Sequence, residues 1–357
     1  MISKKYGVSI TVPSNSVYIV LKNYNNRTRL RQPWYTASYL ITKLEMAGKK
    51  VTVVDALDDL VDVKDSIILK FFSISDVVKP SKSIIVDNKF VFIMSFPILR
   101  VKDLLSIRGR TLLSHFMEFH RILIFSLFFK RIFLLTANKK NITYWCLSDY
   151  MQKLLSDNGF TTQRFIPYID DLKPGTIKNR LSGSEVIGFG YVGPAYFSRC
   201  FDVAIRVLSK LSNHHKGINS YLLMRNESKK TEKFTKELLD RYPIQRLCLK
   251  MGMLSRSELN EIMEKIDVLI IPFDLVMSEL PIVCLEALRL GKVVITSKSC
   301  GIQDIFADFA NFNVVDSPQE VFKICEKIVS NGNFESANCG IQFSTISDIN
   351  SCALRSL

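Results

Sequence analysis

Short apolar runs alternate with longer amphipathic segments along most of this chain, the pattern of strands and helices taken in turn. In the first half, SVYIVLK at 16–22 has strand composition, and a polar loop carrying Arg27, Arg29 and Arg31 leads to Pro33. Pro33 suits a first helical position, Gly48 suits a position just past a helix end, and KVTVVD at 50–55 reads as the next strand, so the three form a βαβ unit. Further apolar runs follow at SIILKFF, SIIVDNKFVFIMSF and NITYWCLS, and DYMQKLLSDNGF after them reads as a helix ending near Gly159. The polar segment KPGTIKNRLSGS at 173–184 contains Pro and Gly and reads as a linker.

After the linker the pattern restarts. EVIGFGYVG reads as a strand, FDVAIRVLSKL as a helix and SYLLMR as a strand. SRSELNEIMEKI opens with Ser255 and Glu258 at capping-box spacing, DVLIIPF has the composition of a buried strand, and PIVCLEALRLG and KVVITS repeat the helix and strand. The expectation is an α/β protein of two Rossmann-like domains with a cleft between them. Residues 1–172 form the first domain, 173–184 the linker and 185–330 the second domain, with 331–357 a tail that packs back on the first.

A literal GxGxxG stands at Gly188, Gly190 and Gly193. In a dinucleotide fingerprint the helix begins within the glycine turn, and an acidic residue follows about 20 positions on. Here Pro194 follows Gly193 directly, the next helical pattern starts near Phe201, and the place of the acid reads SNHHKGINS. The motif therefore does not predict an NAD site. It reads as a glycine-rich strand end and loop where a ligand can approach the backbone.

Composition is that of a globular protein, 47% hydrophobic. Eight cysteines are scattered without a CxxC pair or zinc-spaced histidines, which reads as reduced thiols in cytosol. MISKKYGVSITVPSNS lacks an apolar stretch of signal-peptide length. A formal net charge of +14 favours an anionic partner, but the basic residues are dispersed and no aromatic-basic motif points to nucleic acid.

The chemistry concentrates at 267–304. Pro281 is placed to start a helix, so the amides of Ile282 and Val283 face what precedes it, and the helix dipole favours a negative group such as a diphosphate. Glu286 lies four residues after Ile282, on the same side, where a carboxylate can accept hydrogen bonds from sugar or ribose hydroxyls. Asp58 with Asp59, and Asp170 with Asp171, read as helix-end or loop carboxylates rather than a DxD metal motif.

Across YVGPAYFSRCFD, LKMGMLSRSELNEIMEKIDVLIIPF and SELPIVCLEALRLGKVVITSKSCGIQD, the second domain resembles the GT-B glycosyltransferases, in particular glycosyltransferase family 4. The first domain resembles them chiefly through WCLSDYMQKLLSDNGFTTQRFIPYID. The resemblance implies a nucleotide-diphosphate sugar bound mainly by the second domain, a glycan or lipid-linked acceptor on the first, and no metal or other cofactor. By position it implies Glu286 at the ribose, Gly193 and Gly252 lining the donor site, and Arg199 as the cation on the leaving diphosphate. The family's first motif glutamate falls on Ser278, with Glu279 one place later, which leaves open which residue meets the donor sugar and whether configuration is retained. A family arginine is replaced by Pro194, and Arg225 or the loop at Arg27 to Arg31 could stand in for it. His115 and His120 are in the domain where the family places acceptor-side histidines, without its local motif.

The apolar stretch at 122–129, bracketed by Arg121, Lys130 and Arg131, is too short to span a bilayer; it reads as a buried helix or as a patch gripping an anionic membrane. The expectation is a metal-independent glycosyltransferase, cytoplasmic or peripheral at the inner membrane face, building a lipopolysaccharide, O-antigen or capsule glycan. The alternative is a non-catalytic GT-B partner subunit with a degenerate donor site.

Overall fold

The computed structural model describes residues 15–22, 32–60, 62–72, 87–94, 109, 113, 120, 123–124, 141–166, 186–225, 229–274, 281–297, 303–307, 311–331 and 340–357. In the first half these form strands β1 (Ser16–Val20), β2 (Lys50–Val54), β3 (Ile67–Phe71), β4 (Lys89–Met94), β5 (Ile142–Cys146) and β6 (Thr162–Arg164), with helices α1 (Gln32–Met46) and α2 (Asp149–Ser156). The order is β2-β1-β3-β4-β5-β6, every pair parallel. Both faces are covered. Val17, Ile19, Leu69, Val91, Ile93 and Trp145 pack on one side under α1, and Ile68, Phe90, Phe92 and Tyr144 on the other with Met151 and Leu155 of α2. This is why the strands read as continuous apolar runs rather than as alternation.

The second half supplies β7 (Ile187–Pro194), β8 (Ile218–Arg225), β9 (Leu247–Met251), β10 (Val268–Ile271), β11 (Val293–Ser297) and β12 (Phe312–Val315). Between and after them lie α3 (Phe201–His214), α4 (Lys229–Arg241), α5 (Arg256–Lys265), α6 (Ile282–Arg289), α7 (Gln303–Phe306), α8 (Pro318–Asn331) and α9 (Gly340–Arg355). The order β12-β11-β10-β7-β8-β9 is again wholly parallel. It reverses between β7 and β10, and in open sheets of this kind ligands bind beyond the strand C-termini at that reversal.

At two glycines of the GxGxxG sequence the space beside the backbone is filled by the protein's own chain. A Cβ on Gly188 would stand 2.0 Å from the Lys265 carbonyl oxygen, and one on Gly190 would stand 2.5 Å from the Ile266 Cδ1. They let the α5–β10 connection lie against β7, where Asp267 accepts from the Gly188 amide at 2.8 Å. The expectation of ligand approach at this strand is corrected to that extent: the close neighbour is the protein's own chain. No helix starts at Gly193 either, because β7 runs on through Pro194 and α3 begins at Phe201.

The halves meet along a seam. Leu147, Ile166 and Ile346 share one apolar cluster with Phe306, Leu285 and Leu288 of the second sheet's layer. Asp304 on α7 accepts the Asp149 amide at the start of α2, at 2.8 Å, and lies 3.7 Å from Arg164. Helix α9 lies beside β6: the Asn350 amide donates to the Ile166 carbonyl and its oxygen accepts the Ile166 amide, at 2.7 and 2.9 Å.

Candidate donor site at the strand reversal

Beyond the C-terminus of β7 the chain makes a short 3-10 turn at Phe197–Arg199, then passes through Cys200 in the left-handed region, φ 49° and ψ 35°, before α3 begins. A non-glycine residue there is uncommon and costs about 1 kcal/mol or more. The turn is held on two sides: the Tyr191 hydroxyl donates to the Pro194 carbonyl at 2.6 Å, and the Asp274 amide donates to the Ser198 carbonyl at 2.9 Å. The second bond ties the loop after β7 to the loop after β10, the two strands at the reversal.

The geometry holds Arg199 above Gly193. Its Nη1 would be 3.1 Å from a Cβ on that glycine, whose φ is +151°, so both space and backbone favour glycine. The guanidinium carbon lies 5.6 Å from the centre of the Phe273 ring, a cation–π distance. Burial lowers the Arg199 pKa below its usual value, with Arg225 adding to that and Tyr191 and Cys284 opposing it. Arg225 ends β8 in register with Pro194.

Helix α6 opens at Pro281, which offers no side-chain cap, and the Cys284 amide closes the first turn on the Pro281 carbonyl at 3.0 Å. Cys284 in this first turn is near enough for its charge to act on Arg199, so the N-terminal end of the helix lies toward that arginine. Every residue of α6 from Cys284 to Arg289 is buried, including Glu286. A carboxylate in that position needs a partner, and Arg256, the first residue of α5, supplies it through its Nη1 to Oε1 of Glu286. Gly252 turns the chain at φ +118° between β9 and this arginine, its amide donating to the Met224 carbonyl at 3.0 Å.

Thus Arg199, Gly193, Pro281, Ile282 and Val283 gather around one end of the second sheet, with Glu286 one turn deeper along α6. Ser278, Glu279, the loop at Arg27 to Arg31, His115, and Asp170 with Asp171 lie outside the described residues, and so does the 122–129 stretch apart from 123–124. Asp59 accepts the Ala56 amide at 3.0 Å, a local turn carboxylate. Among the described residues there is no cluster of three metal-ligating side chains, and no helix is long and apolar enough to cross a membrane. Sequence reasoning missed Arg256, since nothing local joins position 256 to 286.

Residues 188–338 match the family model described as glycosyl transferases group 1. A search of curated proteins gives no match. Among solved structures, HepE of Anabaena in complex with UDP is similar over 96% of this chain and 100% of its own, with TM-score 0.62 and 13% identity. The same protein with UDP-glucose gives TM-score 0.61 at 12% identity, over 96% and 100%. Sucrose-phosphate synthase of Thermosynechococcus elongatus gives TM-score 0.63 at 11% identity, over 96% and 94%. At these identities the likeness is one of fold, and it runs through both sheets. Residues 188–338 are thus similar to the glycosyl transferases group 1, in a chain of GT-B architecture.

Proposed function

We propose that this chain transfers a sugar from a nucleotide-diphosphate donor to a hydroxyl of a cell-surface glycan or lipid-linked acceptor, with retention and without a metal. The observation that carries the reading is the convergence of Arg199, Arg225 and the N-terminal end of α6 at the strand reversal, inside the stretch that matches the family. In glycosyl transfer the bond from the anomeric carbon to the diphosphate oxygen breaks as the acceptor oxygen approaches, and negative charge grows on the diphosphate. Fixed cations and a helix dipole aimed at that charge stabilise the transition state more than the ground state. Arg225 fills the charge that Pro194 removes, and Glu286 takes the ribose hydroxyls. That HepE has been solved with UDP and UDP-glucose supports a nucleotide-sugar donor. Ser278 and Glu279 belong at the sugar in this reading, and the net charge of +14 suits work on an anionic membrane face.

The test is donor turnover. Purified protein is incubated with UDP-, GDP-, ADP- and dTDP-sugars, and release of the nucleoside diphosphate is followed for wild type and Glu286→Gln. Turnover of one donor, lost in E286Q while its melting temperature holds, is the expected outcome; full turnover in E286Q overturns the site assignment.

A further inference from the structure

The buried contact between α5 and α6 assigns a role to a residue that carries none in the reading so far. We propose that Arg256 is a positioning residue for nucleotide recognition, fixing the Glu286 carboxylate so that the site tells a ribose from a 2′-deoxyribose. The proposal rests on the donor reading above.

Glu286 is mid-helix, on a segment covered on all sides. Its side chain is 9% exposed, against 23% for Arg256, so the arginine stands on the solvent side of the pair. Arg256 supplies the cation that a buried carboxylate needs, and its planar guanidinium sets the plane in which the carboxylate is held. Its own position is built with care. Ser255 caps α5 by accepting the Glu258 amide at 3.2 Å, and the Glu258 carboxylate accepts the Ser255 amide at 2.8 Å, which fixes the first turn from which Arg256 projects. Upstream, Gly252 is tied to β8. A pair meant simply to pin two helices together could be replaced by apolar side chains at little cost; one that orients a carboxylate for a ligand could not.

Binding separates these roles. The affinities of UDP, GDP and ADP, of their 2′-deoxy counterparts and of dTDP are measured by calorimetry for wild type, Arg256→Gln and Arg256→Lys, with melting temperatures recorded for each. The expected result is a preference for the ribose form of one nucleotide in wild type, on the order of 10-fold for a hydrogen bond to a charged group. That ratio falls toward unity in R256Q and falls less in R256K, which retains the charge. A ratio unchanged in R256Q, whatever its melting temperature, overturns the assignment of Arg256 and leaves the donor site standing. If R256Q does not fold, the ratio in R256K decides: a value below that of wild type supports the proposal, because the ammonium keeps the charge and loses the planar fork, and a value equal to wild type overturns it. Absence of binding by wild type to any of the six or to dTDP overturns the donor reading, and the role of Arg256 with it; binding of dTDP in preference to all six overturns the role of Arg256 and leaves the donor reading standing.

Discussion

At the scale of single residues, glycines and arginines set what this site can do. Gly188 admits no side chain, because a Cβ would meet a backbone oxygen that cannot turn aside. Gly188→Ala is expected to cost about 3 kcal/mol, the upper end of overpacking penalties. Gly190→Ala meets the end of the Ile266 side chain and is expected to cost about 1 kcal/mol. Urea denaturation checks the order, and equal midpoints for the two variants would contradict it. Arg199→Ala and Arg225→Ala are each expected to weaken nucleoside diphosphate binding roughly 10- to 100-fold, the worth of a hydrogen bond to a charged group. Binding of the bare nucleoside should change little, so calorimetry of the two ligands checks the assignment. The glycine spacing was visible in the sequence, but its use was not: Lys265 and Ile266 lie about 75 positions away, and only the fold brings them to β7. The pairing of Arg256 with Glu286 was hidden for the same reason.

Secondary-structure elements were legible where chain chemistry punctuates them. The Ser255–Glu258 spacing predicts a capping box, and both of its hydrogen bonds are formed. The Ser255 hydroxyl and amide hold the Glu258 carboxyl below its ordinary value of 4.5. Its support for the first turn of α5 is therefore complete above that value and lost as pH falls through the lowered one. The Ser255 amide resonance should titrate with a midpoint below 4.5, and a midpoint at or above it contradicts the box. Elements lacking such punctuation went unread. Helix α4 carries its apolar face on Phe234, Leu238 and Leu239 amid eight charged residues, so its average polarity masks the periodicity. Strand β6 is three residues long, TQR, and is held by β5 on one side and by α9 beside it, partners no local pattern shows.

At the scale of the whole molecule, the sequence shows two α/β halves and the comparison structures share both, whereas the seam between them comes from contacts remote in sequence. Asp304 and Arg164 are part of it. Burial raises the Asp304 pKa, against the pull of the Asp149 amide and of Arg164. The folded chain therefore binds that proton more tightly than the unfolded chain does. The cost of burying the charge is present at neutral pH and fades as pH falls through the raised value toward 3.8. Asp304→Asn has no such dependence, so wild type should gain stability relative to D304N as pH is lowered from 7 to 4. Thermal melts across that range check it, and a constant difference would contradict it. The central claim, however, is a diphosphate site in the second half of the chain. It is tested most directly by thermal stabilisation with UDP, GDP, ADP, dTDP and NAD, each with and without magnesium, because a ligand that binds the folded state alone raises the melting temperature. Stabilisation by one nucleoside diphosphate, equal with and without the metal, is expected; stabilisation by NAD alone, or by none of them, would contradict such a site.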